Sequence, residues 1–179
     1  MLGASFPRIQ TVTGAVPASE VTGPILPHEH LRTDTRWGIG VPSDPHRWLD
    51  EERYVVAEIR DLGLEHGLGL VVEHTCLGMG RDPAALVRIS SACRVPVVAA
   101  TGFAPEPFSA ELIRPCGLDD LTAGLLREIG AGFDGSGVRP GLIVASCWGE
   151  APTKAEERAI LAAARAARRS GLPVVAHGM

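Results

Sequence analysis

Five short apolar segments recur along the chain, and most are near-continuous runs of Val, Ile and Leu without polar alternation. They are GPIL (23–26), LGLVVEHT (68–75), VPVVAAT (95–101), PGLIVAS (140–146) and LPVVAH (172–177). Runs of this kind are typical of strands that are buried on both faces of a parallel sheet. The pattern therefore predicts five strands.

Helical spacing of apolar residues fills most of the intervening sequence. In the last such stretch, Thr153 and Glu156 form a capping box and Gly171 ends the helix. Asp82 is the expected N-cap of an earlier one. An alternation of strands and helices predicts right-handed βαβ units. The predicted helices span residues 50–67, 82–93, 118–133 and 153–171.

Two architectures fit this order, an open doubly wound sheet and part of an eight-stranded barrel. The loop after the first strand, HEHLRTDTRWGIG, lacks the glycine-rich phosphate turn of a dinucleotide fold. Polar residues at the C-terminal ends of the strands suit the active face of a barrel better. We therefore predict an α/β fold, a partial (β/α)8 TIM barrel of about five strands with intervening helices. The polar residues are His28, His30, Glu73, His74 and His177.

Composition narrows the class of protein. The net charge of −4 over 179 residues argues against a general nucleic-acid binder, which would show a basic face. The chain has no apolar run near the roughly 20 residues that span a bilayer, and MLGASFPRIQTVTG (1–14) lacks the features of a secretory signal. Four cysteines without a CxxC pair fit a reduced compartment. We expect a cytoplasmic protein without a nucleic-acid or membrane partner.

The segment PILPHEHLRTD (24–34) carries two histidines at a spacing of two. Residues i and i+2 of a strand point to the same face, so His28 and His30 can bind the same metal ion from one short segment. The alternative is a pair of polar surface residues beside the charged Glu29. Taken alone, the spacing does not separate these two interpretations.

Several separated motifs resemble the phosphotriesterase family, which comprises metal-dependent hydrolases of the amidohydrolase superfamily. The resemblance implies a (β/α)8 barrel with two metal ions, usually zinc, at its C-terminal mouth. It also implies hydrolysis of organophosphate triesters or lactones. Family members are longer, so we expect residues 1–179 to form a single, incomplete barrel domain that lacks the C-terminal strands. The motifs are IQTVTG (9–14), LPHEHL (26–31), GMGRDPAALVRIS (78–90), VVAATGF (97–103), GVRPGLI (137–143) and EERAILAAARAARRSGLPVVAH (156–177).

The resemblance implies three metal ligands in this chain. His28 and His30 match the HxH motif that binds the more buried ion, and His177 matches the histidine that closes the fifth strand and binds the second ion. The implied cofactor is Zn²⁺ or another divalent metal, as one or two ions. The implied substrate is a small-molecule ester, lactone or organophosphate. We also expect self-association as a homo-oligomer, which would cover the exposed barrel edge.

The chain departs from the family pattern at the fourth strand. The family bridges its two ions there with a carboxylated lysine or a glutamate, but this chain has Val144 or Ala145, depending on the alignment. Glu150 could substitute only if its loop folded inwards. The family's later ligands, a histidine on the sixth strand and an aspartate on the eighth, lie in strands beyond these 179 residues.

Three hypotheses therefore stay open, and the enzyme status of the chain is undecided. The first is a hydrolase of an ester, lactone or phosphotriester that uses a metal-activated water. The second is a non-catalytic or truncated homologue with an incomplete metal site. The third is a mononuclear hydrolase using His28, His30 and a late aspartate of the family pattern. For His74 a pocket-lining role is favoured over ligation, and Trp148 is the best of the three tryptophans for a substrate cleft.

Overall fold

The computed structural model describes residues 7–178. Residues 1–6 and Met179 lie outside the described residues. The prediction that no secretory signal is present at residues 1–14 therefore falls partly on residues that the structure does not describe. The strands are β1 (Arg8–Thr11), β2 (Gly14–Pro17), β3 (Ile25–Glu29), β4 (Thr33–Asp34), β5 (Trp48–Leu49), β6 (Leu70–Glu73), β7 (Val97–Phe103), β8 (Leu142–Cys147) and β9 (Val174–Gly178). The helices are α1 (Glu52–His66), α2 (Pro83–Cys93), α3 (Glu106–Ile113), α4 (Leu118–Ala131) and α5 (Lys154–Ser170).

Five strands form one parallel sheet in the order β3-β6-β7-β8-β9, which follows the chain order. At least one helix lies between each pair of successive strands. This is half of a (β/α)8 barrel, so the predicted fold class is confirmed. All five predicted strands and all four predicted helices are present, with bounds shifted by at most three residues. The sequence did not reveal α3 or the two short antiparallel pairs, β1–β2 and β4–β5.

The two faces of the sheet are packed differently. The outer face contacts the helices, and the alanine-rich side of α5 lets that helix approach closely, through residues such as Ala162 and Ala166. The inner face carries small and medium apolar side chains, among them Val98, Ala100 and Val144. Because both faces of the central strands β6, β7 and β8 are largely buried, these strands need no polar alternation, as the sequence showed.

A β-bulge in β3 sets the direction of its side chains. Three steps along β3, from Leu26 to Glu29, oppose only two steps along β6, and Pro27 lies inside this irregularity. Proline is tolerated at a bulge or an edge strand because it donates no ladder hydrogen bond. Leu26 packs with the outer apolar cluster, whereas His28, two residues later, lines an inner pocket. The extra residue therefore turns the histidines towards the barrel interior.

The β1–β2 hairpin lies against the N-terminal ends of the central strands. The amide of Val12 donates to the carbonyl of Val97 at 2.8 Å, and a Cβ on Gly141 would lie 2.5 Å from the carbonyl oxygen of Gln10. This end of the sheet is thus closed by backbone contacts, while the opposite end carries the histidines. Across residues 7–178, every helix is too short or too polar to traverse a bilayer.

Candidate metal centre

Four histidines meet at the C-terminal end of the sheet. The ring centroid of His28 lies 5.5 Å from that of His30, 4.0 Å from that of His74 and 4.9 Å from that of His177. They line a pocket of about 40 Å³, which is room for an ion or a few water-sized groups. The other lining residues are Cys76, Met79, Pro105, Val144 and Ser146.

The curvature of the sheet brings these side chains together. β3 and β9 are at opposite edges of the five-stranded sheet, yet His28 and His177 approach within 4.9 Å because the sheet curls as a barrel does. Ser146 pairs in register with His177, so β8 contributes the pocket wall beside it. The structure thus gathers the three predicted ligands, His28, His30 and His177, at one point of the fold.

His74 is the unexpected member of this cluster. It follows β6 and shares the inward direction of Leu70 and Val72, and it is only 3% exposed. Its ring stacks on His28 with an interplanar angle of 16°. The sequence placed His74 correctly at the end of a strand. It gave no sign, however, that His74 would be more deeply buried than His28, His30 and His177.

The surroundings of the cluster favour neutral imidazoles. Burial, together with repulsion from the neighbouring histidines, lowers the pKa of His30 and that of His74 to about 4. Burial and His177 also lower the pKa of His28. A neutral imidazole keeps the nitrogen lone pair that binds a metal. Burial raises the pKa of Cys76 to about 12, so this thiol lines the pocket in its neutral form.

Glu73 fixes the backbone that carries His30. Its fully buried carboxylate accepts hydrogen bonds from the amides of Leu31 and Thr75. The Thr75 hydroxyl in turn lies 2.9 Å from Nδ1 of His30, which leaves Nε2 as the nitrogen available for a ligand. Burial raises the pKa of Glu73 to about 7. A glutamate inside the apolar run LVVEHT (70–75) is the sequence signal for this support.

Replacing Glu73 by Gln should lower the free energy of unfolding by about 1–3 kcal/mol, because the amide group offers one acceptor where the carboxylate serves two backbone donors. Urea denaturation would measure the loss, with Glu58→Gln on the exposed face of α1 as the matched control. Equal midpoints for the two variants would show that Glu73 does not hold the His30 segment.

The donor set of the pocket fits a divalent metal such as zinc. Neutral imidazoles are its common ligands, and within residues 7–178 neither ring nitrogen of His74 has a hydrogen-bond partner. Over the same residues, however, no group of three His, Cys, Asp or Glu side chains is arranged as a ready ligand set. The rings of His28 and His74 are nearly parallel, so these two imidazoles do not aim their lone pairs at one point as they stand.

The fourth barrel strand contributes an apolar wall. Val144 lines the pocket and is 5% exposed, whereas Ala145 packs against the outer cluster. The residue that faces the histidines is therefore Val144. Glu150 is exposed and does not line the pocket, and Lys154 pairs with Glu157 at the surface.

The phosphotriesterase family model matches residues 7–179. The chain belongs to the phosphotriesterase family. It is 30% identical to a phosphotriesterase homology protein of Escherichia coli over 157 residues, which are 87% of this chain and 52% of that protein. Among solved structures, a resiniferatoxin-binding protein from Rhodobacter sphaeroides superposes with a TM-score of 0.84 at 32% identity, covering 95% of this chain and 55% of the other.

The structure of a mutant phosphotriesterase-like lactonase from Deinococcus radiodurans is also similar to that of this chain. Its TM-score is 0.76 at 30% identity, over 95% of this chain and 54% of the lactonase. The chain thus spans about half the length of the curated relatives it matches.

An apolar groove lies beside α3. It has a volume of about 560 Å³ and is lined mainly by apolar side chains of residues 37–41 and 107–112, including Trp37 and Phe108. Both segments follow C-terminal strand ends, as the histidines do. Trp148 packs edge-to-face on Phe108 with ring centroids 5.6 Å apart, so it supports this groove and does not line the histidine pocket.

Proposed function

We propose that this chain carries the metal-binding side of a hydrolase that cleaves an ester, lactone or phosphotriester with a metal-activated water. The observation that carries the proposal is the cluster of four imidazoles at the C-terminal end of the barrel strands. The C-terminal end is where barrel enzymes place their active sites. Family membership and the lactonase among the similar structures support the reaction class.

His28, His30 and His177 would hold the ion. The Thr75 contact of His30 orients its ring, and the low pKa of His30 keeps it unprotonated at neutral pH. When bound, the metal would supply Lewis-acid chemistry, activating water and polarising the carbonyl or phosphoryl oxygen. Val144 has no donor atom, so the described residues support one ion held by imidazoles better than a carboxylate-bridged pair.

A substrate would reach the histidines from outside the pocket. A cavity of about 40 Å³ does not enclose a small-molecule ester, whereas the groove of about 560 Å³ has the size of a ligand site. Phe108 lines that groove and belongs to the same apolar cluster as Cys76 and Met79 of the histidine pocket. We infer that the groove receives the apolar part of the substrate while its polar bond faces the histidines.

One observation favours a second candidate function, a binding protein without turnover. The residue facing the histidines from β8 is Val144, and a homologue that has lost its bridging carboxylate can keep the scaffold without the chemistry. Metal binding distinguishes the two, because only the hydrolase needs the ion.

The test is elemental analysis of the protein purified without chelators, alongside His28→Ala. We expect about one equivalent of metal per chain in the wild type and close to none in His28→Ala, because His28 lies at the centre of the cluster. His46→Ala is the matched control, since His46 is exposed in a loop away from the pocket lining. Loaded protein is then assayed on a lactone, a carboxylic ester and a phosphotriester. A wild type without metal would favour the binding protein.

A further inference from the structure

His74 combines burial with two unpartnered nitrogens. It is 3% exposed, and neither Nδ1 nor Nε2 has a hydrogen-bond partner among residues 7–178. The carbonyl of Pro27 is near enough to favour the charged ring slightly, but it makes no hydrogen bond of acceptable geometry. A buried polar group without a partner costs about 1–3 kcal/mol. Side chains that carry this cost in a folded protein usually have a role that requires it.

The direction of the ring points to that role. His74 continues the inward series of β6 and ends in the pocket that His28, His30 and His177 also line. Its backbone is held in place, because the His74 amide donates to the carbonyl of Glu29 at 2.8 Å. The same hydrogen bond links the segment after β6 to the end of β3, so it fixes the backbone of His74 beside that of the HxH pair.

Two of the three distances from the His28 ring agree with a shared ion. With Zn–N bonds of about 2.1 Å, two imidazoles on one tetrahedral ion have centroids roughly 5 Å apart. The pairs His28–His30 and His28–His177 are 5.5 Å and 4.9 Å apart, and His28–His74 is 4.0 Å apart. The rings of His28 and His74 would therefore have to move apart by about 1 Å and lose their parallel arrangement to bind one ion.

We propose that His74 is a metal ligand of this chain, joining His28 and His30 at a site whose β8 wall, Val144, supplies no donor. The inference rests on the proposed function, because it requires that the chain binds metal at all. It differs from the expectation drawn from the sequence, which favoured a pocket-lining role for His74. It also gives one of the two unpartnered nitrogens a partner of matching chemistry, since a neutral, buried imidazole has one lone pair that can bind a divalent cation.

The experiment measures metal affinity and coordination in the full chain. Zn²⁺ affinity is determined by competition with a chromophoric chelator, and the Co²⁺-loaded protein gives an absorption spectrum that reports the ligand set. His74→Phe is the decisive variant, because phenylalanine keeps an aromatic ring stacked on His28 but has no nitrogen. Loss of a mere supporting partner weakens metal binding 10- to 100-fold, so we expect at least a ~100-fold loss here and an altered cobalt spectrum.

The controls distinguish the role of His74 from metal binding by the pocket as a whole. His74→Leu, of lower volume, replaces His74→Phe if the phenylalanine variant does not melt cooperatively, and His46→Ala should bind as the wild type does. Wild-type affinity and an unchanged cobalt spectrum in His74→Phe, together with loss of metal in His28→Ala, would overturn the role of His74 alone. Absence of metal from the wild type would overturn this inference and the proposed function together.

Discussion

Replacing Arg81 by Met should lower the free energy of unfolding by about 3–5 kcal/mol, as expected for breaking a buried ion pair by removing one partner. Arg81 is 4% exposed and donates from Nη1 and Nη2 to the two carboxylate oxygens of Glu128, at 2.9 Å and 2.7 Å. Its guanidinium also lies 4.2 Å from the ring centroid of Phe133. Within residues 7–178, the substitution leaves the largely buried Glu128 carboxylate with the Thr101 hydroxyl as its remaining side-chain donor.

Chemical denaturation measures this loss as a lower midpoint at an unchanged slope. The matched control is Arg165→Met, because Arg165 forms a pair with Asp119 of α4 that is largely exposed. Exposed pairs contribute about 0–1 kcal/mol, so the control should be nearly neutral. The double variant Arg81→Met/Glu128→Met should be more stable than Arg81→Met, because it removes the orphaned charge. Equal losses for Arg81→Met and Arg165→Met would show that the Arg81 pair is not buried as described.

The Arg81 pair also bears on the candidate metal centre. The loop between β6 and α2 carries Cys76 and Met79 of the pocket lining, and Arg81 fastens the end of this loop to α4. Asp82 then caps α2 by accepting from the amide of Ala85, as the sequence predicted. One end of the loop is held by the buried segment around His74, and the other end is held by the Arg81–Glu128 ion pair. The loop therefore connects the lining of the histidine pocket to α4 in the outer helix layer.

The sequence predicted the long elements because each one is periodic over many residues. α5 has a capping box, an alanine-rich side and a terminal glycine, all of which are local signals. α3 spans eight residues, follows Pro105 and has Pro107 in its first turn, so its short pattern could not be distinguished from a loop in the sequence. The hairpin strands β1 and β2 have four residues each, and β4 and β5 have two, which is too short for alternation to be read.

The candidate site was predictable only in part. The three histidines were found because the strand ends and the family motifs mark them, but their approach depends on sheet curvature and on the bulge at Pro27, neither of which is local in sequence. The choice between Val144 and Ala145 was open for a physical reason. A strand buried on both faces shows no polar alternation, so its sequence does not state which side chains face inwards.

Replacing Val144 by Glu tests that orientation and should destabilise the metal-free protein by about 3 kcal/mol or more. A carboxylate at a site that is 5% exposed loses its hydration, and its pKa rises well above its usual range, which opposes folding at neutral pH. The sign reverses when zinc is present, because a carboxylate facing the imidazoles adds a ligand, and a metal that binds only the folded state stabilises it. Melting temperatures with chelator and with Zn²⁺ measure both effects.

Val144→Gln is the matched control for this prediction, since it has the same size and no charge. The zinc-induced rise in melting temperature should be larger for Val144→Glu than for Val144→Gln and for the wild type, because only the glutamate adds an anionic ligand. If the two variants melted together in both buffers, the side chain at position 144 would not face the histidines. A selective rise for Val144→Glu would show instead that the side chain at position 144 faces the histidines and that a carboxylate there adds a metal ligand.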